Sequence, residues 1–305
     1  MVSIIIPTYW KRVQLAFQHA NIISKYNCFK NNDFEIIIID TSEKDFINIE
    51  NINNINYYNL DLKTQNSLCL KRNFGASKSN GKILIFLDDD VLPDINYFNF
   101  VMMNLGPNQV ICGNIFFPIE RVNELPLVRY KESRHRIVEQ RYIKNGYLKY
   151  NNFVAMCFAI NKNNFFHFDV NFNKYGFEDI DYGRQLENRK AKITLCLESK
   201  VFHYEETNSL FDYKKKLYSC SRYMFPYYNK KYKDLKIISI IILVLIGILA
   251  KLFNKISLKI TNYLLHKNII NSVYFFQIIV FAEGYLDYII FDLLNKNPKK
   301  NNEFI

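Results

Sequence analysis

Arg72-Asn73-Phe74-Gly75-Ala76-Ser77-Lys78-Ser79-Asn80-Gly81-Lys82-Ile83-Leu84-Ile85-Phe86-Leu87-Asp88-Asp89-Asp90 reads as the end of a helix, a glycine turn, a buried strand, and three carboxylates where the strand runs out. Ile83 to Leu87 is an unbroken apolar run, the pattern of a strand covered on both faces. Three consecutive acids repel one another unless a cation sits among them. Hard oxygen ligands suit Mg²⁺ or Mn²⁺, so a divalent metal carrying a phosphate-bearing ligand is one reading. A solvated acidic turn is the other, and the triplet alone does not choose between them.

Working outward, the same pattern recurs. Val2 to Ile6 is a short apolar run stopped by Pro7, and Phe34 to Asp40 is a second one ending in an acid. Helical spacing is expected over 11–26 and 64–79. An Asn/Ile-rich connector with one short strand is expected over 48–59. Further strands are expected over 109–117, Asn152–Ile160 and Lys192–Glu198, with charged residues 120–150 as an exposed helix or loop. Alternation of strand and helix argues for an α/β domain with a mostly parallel, Rossmann-like sheet. Ligands gather at the C-terminal ends of such strands. Thr8, Asp40 and Asp88–Asp90 all fall there. Glu178-Asp179 opens an apparent helix, where acids suit the macrodipole, and His203 follows the last strand.

In this order the motifs resemble the inverting family 2 glycosyltransferases of the GT-A fold. The resemblance rests on Ile5-Ile6-Pro7-Thr8-Tyr9 with Arg12, Ile38-Ile39-Asp40-Thr41-Ser42, Lys71-Arg72-Asn73-Phe74-Gly75, Phe86-Leu87-Asp88-Asp89-Asp90, Gly176-Phe177-Glu178-Asp179-Ile180-Asp181 and Val201-Phe202-His203. It covers roughly residues 2–205. It implies that Pro7, Thr8, Tyr9, Arg12, Asp40, Arg72 and Asp88 bind the nucleotide. It also implies that Asp88 and Asp90 form the DxD pair, with Asp89 the variable middle residue. A divalent metal (Mn²⁺ or Mg²⁺) would be held by Asp88, Asp90 and His203. Glu178 and Asp179 match the acceptor-side acids, with Asp179 the general base. The second acid usual after strand two is Thr41 here. The implied activity is metal-dependent, inverting transfer from a nucleotide-diphosphate sugar to a hydroxyl of a glycan or lipid-linked acceptor, in cell-surface polysaccharide or glycolipid synthesis. A polyprenyl-phosphate glycosyltransferase and a non-catalytic sugar-nucleotide-binding membrane scaffold are the alternatives.

The chain of 305 residues carries a formal net charge of +11. From Val201 onward 15 Lys and Arg stand against 8 Asp and Glu, so most of that excess lies in the last third. Basic and aromatic residues over 212–234 run into Ile237–Ala250, fourteen residues without a charge, and a second apolar segment spans Ile269–Leu294. This sequence points to an anionic membrane surface rather than nucleic acid. Fourteen residues are short for a span. The expectation is therefore a GT-A domain over 1–210 and a helical membrane-associated region over 211–305, docked by in-plane or short hydrophobic helices. Met1–Pro7 is too short for a signal peptide, so the expectation is a catalytic part on the cytoplasmic face. Six scattered cysteines with no CxxC read as buried free thiols.

Overall fold

The computed structural model describes residues 1–9, 12–29, 34–41, 54–60, 67–205, 209–234, 236–266 and 272–293. The Asn/Ile-rich stretch before Asn54, the first residues of the helix expected from 64, and the basic tail at 296–300 lie outside them. The described residues fall into two compact units. One comprises Met1–Glu124, Lys131–Asn173 and Glu178–Glu206; the other comprises Leu125–Tyr130, Lys174–Phe177 and Thr207–Ile305.

The first unit is built on an eight-stranded sheet. Its strands are β1 (Val2–Pro7), β2 (Phe34–Asp40), β3 (Ile55–Asn59), β4 (Ile83–Leu87), β5 (Val91–Pro93), β6 (Gln109–Phe116), β7 (Cys157–Asn161) and β8 (Lys192–His203). The order is β3-β2-β1-β4-β7-β6-β8-β5. β3, β2, β1 and β4 run parallel, as do β6 and β8, while β7 and β5 are antiparallel to their neighbours. The isoleucines explain the centre. Ile4 to Ile6 and Ile36 to Ile39 are all buried, so both faces of β1 and β2 are covered. Each such side chain contributes on the order of 2 kcal/mol of burial.

Helices α1 (Val13–Ser24), α2 (Leu68–Lys78), α3 (Ile95–Asn104), α4 (Ile119–Glu124), α5 (Pro126–Asn145) and α6 (Glu178–Asn188) follow. Ser67 caps α2 by accepting from the Leu70 amide at 3.2 Å. Asp94 caps α3 through the Tyr97 amide at 3.3 Å.

Two expectations need correction. The strand expected from Asn152 begins only at Cys157, because Tyr150–Asn152 forms a 3₁₀ turn. The strand expected to stop at Glu198 continues to His203, because beyond an irregularity opposite Gly113–Ile115 β8 pairs again, Val201–Phe202 with β6 and Val201–His203 with β5.

The second unit is helical: α7 (Leu210–Ser219), a π-helical turn at Cys220–Met224, α8 (Phe225–Tyr232), α9 (Ile237–His266) and α10 (Ser272–Asp287). Leu127, Tyr130, Leu210, Val273, Phe276 and Val280 form its core. Two acids in the apolar α10 are paired inside this unit. Lys214 reaches Glu283 at 3.4 Å, and Tyr218 and Lys251 both reach Asp287. Among the described residues one helical stretch, Val273–Ile290, is long and apolar enough to cross a membrane, and half of it is buried.

Candidate active site

The three acids leave β4 in a turn whose backbone is tied on both sides. Asp88 donates its amide to Met156 O at 2.9 Å, and Tyr204 donates its amide to Asp90 O at 2.7 Å. β5 follows at once and pairs Val91 with His203. That register brings His203 Nε2 to 3.4 Å from Asp90 Oδ2. From the end of β1, Thr8 Oγ1 donates to Asp89 Oδ2 at 2.8 Å. Arg12, just before α1, donates to Asp89 Oδ1 at 3.2 Å and also to Asp90 Oδ2. Lys71 on α2 donates to Thr8 O at 2.5 Å.

These partners sort the triplet. Asp89 and Asp90 are buried, whereas the Asp88 side chain is 25% exposed. Burial and the neighbouring Asp90 push the Asp89 carboxyl up to about 7, against the pull of Arg12 and Thr8. Burial acts on Asp90 too, but the His203 hydrogen bond and the charges of His203 and Arg12 outweigh it and hold Asp90 below the usual carboxylate range. Burial lowers the Lys71 ammonium to about 8, although Asp40 and Asp89 oppose this.

Asp40 closes β2 and is buried. It accepts from the Thr41 amide at 2.7 Å and from Tyr57 Oη at 2.9 Å, so both its oxygens are engaged. Pro7, the last residue of β1, is registered with Ile39. The Arg12 guanidinium lies over the ring of half-buried Tyr9, 5.4 Å from its centroid.

The acids at the start of α6 join this cluster through one side chain. Arg72 on α2 is fully buried, with its guanidinium 5.3 Å from the Phe168 ring centroid. Its Nη2 donates to Asp88 Oδ1 at 2.8 Å, and its Nη1 lies 3.6 Å from Asp179 Oδ1. Burial raises the pKa of both Glu178 and Asp179, while Arg72 pulls both back, helped at Asp179 by the Ala155 amide. Asp181 takes its hydrogen bond from Gln185 on its own helix, at 2.7 Å. Several buried polar atoms here make no hydrogen bond: Arg72 Nε and Nη1, Glu178 Oε2, Asp179 Oδ1 and His203 Nδ1. Buried polar atoms are rarely left this way, although Arg72 Nη1 and Asp179 Oδ1 still face each other as an ion pair at 3.6 Å. The acids enter α6 from a strained turn in which Gly176 and Phe177 both have positive φ, 103° and 70°.

The sequence profile described as "Glycosyl transferase family 2" matches residues 3–171, more than half of the chain. The chain belongs to glycosyl transferase family 2. The match includes Asp40, Arg72 and the acidic triplet, and ends before Glu178, Asp179 and His203. Asp179 is tied to the matched part by Arg72, and His203 by the β5–β8 pairing. No curated protein matches the chain. Among solved structures, it is similar to the mannosyltransferase PcManGT from Pyrobaculum calidifontis in complex with GDP-Man and Mn²⁺ (12% identity, TM-score 0.51, 77% of this chain and 65% of that one). It is also similar to GalNAc-T7 with UDP, GalNAc and Mn²⁺ (14%, TM-score 0.47, 73% and 48%) and to S. aureus TarS (16%, TM-score 0.47, 83% and 43%). The chain therefore spans less than two thirds of the length of each. At these identities the likeness is one of fold.

Among the described residues no group of three or more His, Cys, Asp or Glu side chains is gathered to hold a divalent metal. Asp90 Oδ2 and His203 Nε2, however, are 3.4 Å apart. Adjacent ligands of one ion with bonds of about 2.1 Å stand about 3 Å apart. The carboxylate oxygen suits Mn²⁺ or Mg²⁺, and the facing imidazole nitrogen can add a ligand, though its Nδ1 has no hydrogen-bond partner to orient it. The pair fits, provided that the ion replaces Arg12 on Asp90. Asp88 is turned to Arg72 instead.

Two residues of the cluster were missed from the sequence. Asp89, expected to be the variable middle residue, takes both Thr8 and Arg12. Lys71 has no role of its own in the expected site. It lies four residues before Gly75, whose close packing on Ile5 and Ile39 turns that face of α2 to the ends of β1 and β2. The spacing of Lys71 and Gly75 was the available signal.

Proposed function

We propose that this chain transfers a sugar from a nucleotide-diphosphate sugar to a hydroxyl of a glycan or lipid-linked acceptor, with inversion at the anomeric carbon and with a divalent metal. The reading rests above all on Arg72, a buried cation shared between a donor-side carboxylate, Asp88, and an acceptor-side carboxylate, Asp179.

In this reading Asp40, Thr8, Tyr9 and Pro7 shape the nucleoside pocket. Asp90 and His203 hold the metal, and Asp88 turns from Arg72 toward the donor. The metal, when bound, supplies positive charge against the leaving diphosphate. Arg12 and Arg72 stand beside the same charge. The acceptor hydroxyl attacks from the side opposite the diphosphate, forming the new glycosidic bond as the bond to the diphosphate oxygen breaks. Asp179 takes the hydroxyl proton. A carboxylate raised above its ordinary pKa is a better base than an exposed one. Burial and the charge of Asp179 raise the Glu178 carboxyl as well, so it favours the protonated form beside Asp179.

The test is a thermal-shift series on the whole chain with UDP, GDP, CDP and dTDP, each with Mn²⁺, Mg²⁺ or chelator. A ligand at 100 times its Kd adds about 2.7 kcal/mol to folded-state stability, well within detection. A metal-dependent shift with one nucleotide supports the reading and names the donor. Folded protein that shifts with none of them overturns it.

A further inference from the structure

The helical unit carries a surface that nucleotide-sugar transfer does not use. On α9, Ile241, Ile242, Leu245, Ile248, Leu249 and Leu252 are all exposed, by 46–71% of their surface. At 3.6 residues per turn they fall within an arc of about 120°. This is a continuous apolar stripe, not a scatter of single side chains. The opposite face of α9 is committed. Gly247 and Ala250 are buried there, and a Cβ on Gly247 would stand 2.6 Å from Ala282 O of α10. The helix therefore cannot rotate its apolar face inward without losing that packing.

We propose that this outer face of α9 docks on the surface of an anionic lipid leaflet, with the helix lying in the plane of the membrane. Charge decides the occupant. Lys230, Lys231, Lys233 and Lys236 immediately precede α9 and are exposed. Two copies of the chain meeting through this stripe would bring two such lysine groups into the same interface, whereas anionic headgroups neutralise them. Length decides the orientation. The charge-free run Ile237–Ala250 reaches about 21 Å along a helix, short of the hydrocarbon core of about 30 Å. Lys251 and Lys259 then interrupt it. The neighbouring α10 is not a competing lipid surface at Glu283 and Asp287, because both are buried and paired with Lys214, Lys251 and Tyr218.

The experiment is vesicle flotation of the full chain. One set of vesicles is phosphatidylcholine alone and the other contains about 30% phosphatidylglycerol, each at low and high salt. The chain is expected to float with the anionic vesicles, at least tenfold more than with neutral ones, and to be released by salt. The triple variant Leu245→Ser/Leu249→Ser/Leu252→Ser changes only exposed positions, so it should keep the wild-type melting temperature and nucleotide shift while losing flotation at least tenfold. Unchanged flotation of the variant overturns the proposal, as does a wild type that ignores anionic vesicles. Sedimentation showing a dimer that the triple variant dissolves assigns the stripe to a second copy and overturns it too. Resistance of the bound chain to alkaline carbonate extraction overturns the in-plane orientation. None of these results depends on catalysis, so failure here is distinct from failure of the transferase reading.

Discussion

Arg72 donates to Asp88 at 2.8 Å from a position with essentially no solvent exposure, while the carboxylate it serves is a quarter exposed. The cation is locked by the fold, and the acid is open to a ligand. Removing the cation should therefore cost stability as well as function. Arg72→Met leaves Asp88 and Asp179 without their shared partner. A fully buried pair broken in this way costs about 3–5 kcal/mol, and partial exposure of both acids brings the expectation to about 2–3 kcal/mol. Urea unfolding of Arg72→Met measures this. The double variant Arg72→Met/Asp88→Asn should recover part of the loss, because one stranded charge is gone. No recovery would show that the loss comes from packing against Phe168.

Asp179 should set the acidic limb of the pH–rate profile. Its pKa lies above the ordinary Asp value through burial, with Arg72 and the Ala155 amide holding it partly down. A general base works only when ionised, so kcat/KM should rise with pH through that limb and level off above it. Asp179→Asn should lose at least 10²-fold in transfer, together with the limb, and keep the nucleotide-induced thermal shift. Equal loss of transfer and nucleotide binding would remove the base role.

The strands of the centre were legible because β1, β2 and β4 are fully covered and therefore uninterruptedly apolar. That Thr8, Asp40 and Asp88 stand at one edge followed, since parallel strands deliver their C-terminal ends there. What the sequence did not reveal depends on pairing between distant segments. β8 runs past Glu198 because β5 lies beside Val201–His203, and nothing local to Ser199 or Lys200 announces that. The expected start of β7 is too early because Phe153 and Ala155 are apolar and buried, like strand residues, yet lie outside the ladder. Asp89 was hidden by its neighbours: three identical residues in a turn have no periodicity to separate them, and only the positions of Thr8 and Arg12 do so.

Lys71 makes stability depend on pH on the alkaline side. Its ammonium is lowered from 10.5 to about 8 by burial. Between these values the unfolded chain binds more protons at this site than the folded chain does, so the Lys71 contribution to stability rises with pH across about 8 to 10.5. The full swing is about 3 kcal/mol at 1.36 kcal/mol per unit. The difference in unfolding free energy between wild type and Lys71→Met, measured at pH 7.5 and 10.5, should move by an appreciable part of that amount in favour of wild type. A constant difference would mean that Lys71 keeps an ordinary pKa.

In the metal-dependent reading proposed above, Arg12 and the ion would compete for one oxygen. Asp90 Oδ2 accepts from Arg12 and also faces His203 Nε2. An ion held by Asp90 and His203 must displace the guanidinium, and the displaced cation costs the ion part of its binding energy. Arg12→Gln removes the competitor and keeps a neutral donor near Asp89. Mn²⁺ binding to Arg12→Gln without nucleotide, followed by titration calorimetry, should tighten about tenfold, or about 1.4 kcal/mol. Asp90→Asn should weaken it by a similar or larger factor and make nucleotide binding indifferent to chelator. His203→Ala should weaken the metal and leave chelator-treated nucleotide binding unchanged. If Arg12→Gln binds Mn²⁺ more weakly than wild type, then Arg12 organises the acids for the ion instead of competing with it, and Asp90 holds the metal and the guanidinium together.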